Sequence, residues 1–102
     1  MNIRLCLQRW SAGALLALAG VSALAAAPVF VLNSLDGDVS VIDPVSWSEV
    51  KRIPTGKEPH HLYMTPDEKS VIVANALSDS LTFIDPRTAE VQRTVTGILD
   101  PY

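Results

Sequence analysis

From Val29 onward the chain alternates short apolar runs with polar breaks. The runs cover 29–33, 39–43, 49–53, 62–65, 70–75, 80–85 and 90–96, and are rich in Val, Ile, Leu, Thr, Tyr and Phe. The breaks carry Pro, Asp, Asn, Ser or Gly, such as Asp36-Gly37 and Thr65-Pro66-Asp67. This pattern predicts β-strands joined by tight turns. Val71-Ile72-Val73 is apolar at consecutive positions, as expected of a strand covered on both faces. Lys51 and Arg52 suit 49–53 to an outer edge, where charge blocks stray pairing. Trp47, in the loop before that strand, is expected to cover the edge of the sheet.

The pattern repeats. Asn33 and Asn75 lie 42 positions apart, as do Asp43 and Asp85, and Pro59 and Pro101. Glu49-Val50-Lys51-Arg52 matches Glu90-Val91-Gln92-Arg93 at 41, as Thr55-Gly56 matches Thr96-Gly97, which implies one extra residue near Trp47. Four antiparallel strands in about 40 residues is the size of a β-propeller blade. The expected fold is therefore all-β, built of four-stranded antiparallel blades. One blade is complete, over 59–97; a partial blade of three strands fills 26–58, and 98–102 starts the next. Blades bury their faces against neighbours, so two cannot close a ring. The chain is expected to be the N-terminal part of a seven-bladed propeller of about 300 residues, in which a returning segment fills the missing inner strand of the first blade.

Val71-Ile72-Val73-Ala74-Asn75, Ser40-Val41-Ile42-Asp43, Pro59-His60 and Thr65-Pro66-Asp67-Glu68-Lys69 resemble the YVTN-type β-propeller repeats of secreted and periplasmic bacterial proteins. They are similar to blades of the haem domain of cytochrome nitrite reductases and of lactonase-like propellers. The resemblance covers nearly all of 29–102 and specifies the fold far better than an activity. Glu68 stands where the family usually has Gly, so a plain type I turn is expected there.

Residues 1–25 have the layout of a cleavable signal peptide: Arg4 and Arg9, an apolar stretch from Ala12 to Val21, and Ala23-Leu24-Ala25 at the cleavage site. A membrane anchor is the competing reading, weakened by the Ala and Gly content. Cleavage would place the protein in the periplasm or outside the cell, with no membrane association afterwards. Cys6, the single cysteine of the 102 residues, would leave with that segment. Beyond Ala25, eleven acidic residues face six basic ones with no basic stripe, which disfavours nucleic acid.

His60 and His61 are the candidate cofactor-binding residues, at the start of an inner strand near the central channel. Two readings stand: packing histidines bonded to loop carbonyls, or channel-mouth groups that ligate a haem or metal or act as a base. Neighbours in a regular strand point to opposite faces, so the two are not expected to share one metal. Tyr102 occupies the position matching His60 in the next copy. Asp43 and Asp85 repeat in phase, which marks them as turn carboxylates rather than a catalytic pair; Asn33 and Asn75 are expected to form turns. Asp36, Asp38 and Asp79 lie near hairpin tips without the spacing of a calcium loop, and read as solvated. No catalytic residue or metal site is assigned. The favoured function is a binding or scaffold module that takes a protein partner or small ligand through its channel or top loops. The alternatives are a haem-carrying oxidoreductase-type propeller, implied by the resemblance and by His60-His61, and a lactonase-like hydrolase, which needs convergent carboxylates from several blades.

Overall fold

The structure, a computed structural model, describes residues 26–102. The signal peptide expected over 1–25, and the cleavage expected after Ala25, fall on residues outside those described. Among the described residues seven strands form: β1 (Val29–Asn33), β2 (Asp38–Ile42), β3 (Glu49–Pro54), β4 (Pro59–Met64), β5 (Val71–Asn75), β6 (Ser80–Ile84) and β7 (Val91–Thr96). A 3-10 turn, Ala76–Ser78, follows β5. The strands make two antiparallel sheets, β1-β2-β3 and β4-β5-β6-β7. They are the three-stranded and four-stranded blades that the alternation implied. Among the described residues, β1 is paired on one side only, and no helix is long and apolar enough to cross a membrane.

The repeat holds at 42 throughout, which overturns the 41-residue match of the outer strands. Ile42 pairs with Glu49, and Ile84 with Val91, so Glu49 corresponds to Val91 and not to Glu90. The preceding turns are equally long: Asp43 N–H donates to Ser48 O at 3.0 Å and Asp85 N–H to Glu90 O at 2.8 Å. No residue is extra near Trp47, which matches Ala89; both have positive φ, 58° and 60°. Thr55 N–H bonds Gly37 O, and Gly97 N–H bonds Asp79 O, in the same phase. Register matters because a slip of one residue turns every side chain to the other face. Both outer strands carry a bulge in phase, with Val50 and Gln92 left out of the pairing.

The core lies between the blades. Val39, Val41 and Ile53 pack with Val71, Val73, Ile84 and Ala89, flanked by Phe30 and Leu32. Each of these valines and isoleucines, fully buried, contributes roughly 1.5–3 kcal/mol, and Ala89 less. Polar ties cross the same junction: Ser34 Oγ donates to Pro59 O at 2.6 Å, and Lys51 Nζ to Ala89 O at 2.9 Å and Glu90 Oε1 at 3.0 Å. Lys51 is thus an inter-blade tie rather than a guard of an open edge. Arg52 keeps the edge role and binds Glu49, Asp36 and Asp38.

Three further expectations are corrected. Trp47 does not cover the blade edge: it is 71% exposed at the tip of its turn. Glu68 takes the left-handed conformation, φ 59°, that Gly would favour. The β-turn is still there, closed by Glu68 N–H on Thr65 O at 2.8 Å; the left-handed residue is what lets the chain re-enter β5. The Asn33 and Asn75 side chains clip neighbouring strands together instead of shaping turns. Asn33 Nδ2 reaches Asp38 and Ser40 at 2.7 and 2.8 Å, and Asn75 Nδ2 reaches Ser80 and Thr82 at 3.2 and 3.0 Å.

Candidate functional site

Antiparallel order sends alternate loops to opposite ends of the blades. Residues 34–37, 55–58, 76–79 and 97–100 gather at one end, where the chain crosses between blades; 43–48, 65–70 and 85–90 gather at the other. The far end is built of turns. Asp43 accepts from Val45 N–H at 3.0 Å, and Asp85 from Arg87 and Thr88 N–H at 2.8 and 3.2 Å. These bonds, the Val45 and Arg87 N–H groups foremost, hold both carboxyls below the usual range. The Thr65 hydroxyl, then Lys69 N–H, does the same for Asp67. Asp43 and Asp85 therefore take the turn role that their repetition indicated.

His60 and His61 lie at the crossing end, inside β4, which begins at Pro59 rather than at Leu62. Pro59 pairs with Asn75 and His61 with Ala74, so His60 is an extra residue in a bulge. The bulge breaks the alternation that was expected to separate the two imidazoles. Their rings lie 5.9 Å apart at 25°, and both meet Tyr102, at 5.5 Å from His60 and 4.7 Å from His61. Three rings with polar heads thus share one spot. Among the described residues neither imidazole bonds a loop carbonyl, contrary to the packing reading; His60 Nε2 faces Glu58 Oε1 at 3.9 Å. Tyr102 is 84% exposed, and beside it a cleft of about 520 Å³ runs along His61, Tyr63, Ile72 and Leu81 to Pro101.

The remaining acidic candidates separate. Asp36 and Asp38 turn to Arg52 at 3.4 and 3.3 Å. Asp79, at φ 48°, accepts Asp100 N–H at 3.0 Å. The crossing itself is tied down: Ala76 N–H donates to Glu58 O, Leu77 N–H to Lys57 O, and Lys57 N–H to Ser78 Oγ. These ties frame a second cleft of about 520 Å³ between hairpin 34–37, the crossing and the 3-10 turn. Leu35 and Leu77 line it, one from each blade. Sequence reasoning passed over both, although they stand 42 apart in phase with every other repeat mark.

A family model for the YNCE-like beta-propeller matches residues 5–102, and the chain belongs to that family. Among solved structures, the chain is similar to hydrazine synthase of Kuenenia stuttgartiensis, with 22% identity and a TM-score of 0.62. That likeness covers 72% of this chain and 21% of the other, so the chain spans about a fifth of that protein. At this identity the likeness shows a shared fold alone. A search of curated proteins finds no match.

Proposed function

We propose that this YNCE-like propeller chain is a binding module, exported to the periplasm or secreted, that holds a protein partner or small ligand at the crossing end of its blades. At the coarse level the fold supports a binding or scaffold role, because stacked blades make a rigid frame that presents loops. The observation that carries the finer reading is the cluster of His60, His61 and Tyr102 beside an open cleft. Such rings offer a stacking face and hydrogen-bonding tips at one place, as ligand-binding surfaces do. Titration with indole and p-cresol, followed by imidazole and tyrosine NMR signals, tests it. Saturable shifts at all three rings are expected, lost in His61→Ala. Shifts confined to other regions would refute the site.

A haem on either imidazole is the second reading, favoured by the same accessible pair. Hemin titration gives a strong visible band if it binds, and His60→Ala and His61→Ala then show which imidazole serves. Export is tested by mass spectrometry of the mature protein, with Ala26 as the expected N-terminus. Intact Met1 in the membrane fraction would favour the anchor.

A further inference from the structure

Leu35 and Leu77 occupy the same repeat position on consecutive blades, and neither is covered. Leu35 is 102% exposed and Leu77 is 69% exposed. Their blade contexts differ in a useful way. The blade that follows Leu35 is present and leaves it bare; the blade that precedes Leu77 is present and leaves it largely bare. Neither kind of blade neighbour buries this position, so blade stacking does not explain the leucines. Leu99, at the next link, is 80% exposed at the same end.

The surroundings are acidic. Asp36, Asp38, Glu58, Asp79 and Asp100 stand at this end, against Arg52 and Lys57. Arg52 is already engaged by Asp36, Asp38 and Glu49. The cleft itself is lined by Asp36 and Glu58 against Lys57, and the whole end carries more acid than base, which disfavours nucleic acid and anionic lipid and complements a cation-bearing polypeptide. We infer that the cleft between Leu35 and Leu77 docks a partner segment whose apolar side chains are flanked by Lys or Arg. The leucines bury the apolar side chains, and Asp36 and Glu58 hold the cations. This deepens the binding-module reading; it uses none of the three rings, and touches that cluster only through Glu58, which faces His60 at 3.9 Å.

The probe is a labelled amphipathic Leu–Lys peptide, measured by fluorescence anisotropy on the mature chain, with a Leu–Glu peptide of equal length beside it. The Leu–Lys peptide should bind saturably and weaken about tenfold or more in the Leu35→Ser/Leu77→Ser variant. It should also weaken in Asp36→Asn/Glu58→Gln and with rising salt. His61→Ala should leave this binding unchanged, which separates failure here from failure of the ring site. Equal binding of the Leu–Glu peptide overturns the inference, as does an unchanged affinity in the double-leucine variant. It is also overturned if anionic vesicles compete better than the peptide. If the double-leucine variant instead turns an oligomer into a monomer on gel filtration, the occupant is a second copy and the inference is again overturned.

Discussion

Gly56→Ala tests whether the crossing between the blades is as tightly packed as its geometry indicates. A Cβ at Gly56 would overlap Ser78 Oγ and lie 2.7 and 2.8 Å from Asn75 Cβ and Cγ. Neither neighbour can step aside freely. Asn75 is fully buried and holds Ser80 and Thr82, while Ser78 Oγ accepts Lys57 N–H at 2.9 Å. Gly56 has no positive φ, so alanine brings no left-handed strain and stabilises by about 0.4–1 kcal/mol through the unfolded chain. Overpacking works the other way, at about 1–3 kcal/mol, and disturbing the buried amide costs a further ~1 kcal/mol or more. The net expectation is a loss of about 2 kcal/mol, read as a lower urea midpoint by circular dichroism at unchanged slope. Gly97→Ala is the control. There a Cβ meets nothing within 4 Å, but φ is 82°, so backbone strain of about 1 kcal/mol acts alone. Adding Ser78→Ala to Gly56→Ala should recover part of the loss, because the Asn75 contacts remain. If Gly56→Ala is as stable as the parent, or less harmful than Gly97→Ala, the close approach is wrong.

Asn75→Ala should cost about 1 kcal/mol, since Thr82 loses the Nδ2 donor in a buried place while Ser80 keeps its bond to Ser78 Oγ and the unpartnered Asn75 Oδ1 goes too, and Asn33→Ala should cost less because Asn33 is only half-buried; paired urea melts compare them. A Lys51→Met/Glu90→Gln double-mutant cycle should show coupling of at most about 0.5 kcal/mol, because Glu90 is 72% exposed and solvent screens the pair. Asp43, Asp67 and Asp85 have folded pKa values lowered from 3.8, so their stabilisation is present in full above that value and is lost as pH falls through the lowered ones. Stability should therefore be insensitive to these groups from pH 7 down to about 5 and fall below about pH 4, and Asp85→Asn should flatten that fall in a pH series of melts.

The blades were legible because two strong local signals agree. Residues such as Val71, Val73 and Ile84 are chosen for burial, and Pro44, Asp43 and their partners 42 positions on are chosen for turns. The phase of the outer strand was not legible by the same means. Glu49 through Arg52 resemble Glu90 through Arg93, but most of these residues are exposed and their identities are weakly constrained. The better signal was turn length, since Asp43 to Ser48 and Asp85 to Glu90 span the same count. Left-handed positions were hidden too, because Trp47, Glu58, Glu68, Asp79, Ala89 and Asp100 fill them in place of Gly.

The candidate site divides in the same way. Residue type picked out His60 and His61, yet their meeting depends on a bulge that no letter marks, and an unbulged strand would have parted them. Tyr102 entered only as a repeat partner of His60, and its ring joins the cluster because the link over 97–100 brings it back beside the start of β4. The leucines had the opposite history. Their spacing was readable, but an apolar residue in a hairpin looks like noise until burial is known. Exposure at one leucine would still be noise, since single exposed leucines are ordinary. Exposure at the same repeat position, once with the following blade present and once with the preceding one, is not. The stacking that buries Val39 and Val73 leaves this position uncovered, so packing between the blades does not account for a leucine on each of them.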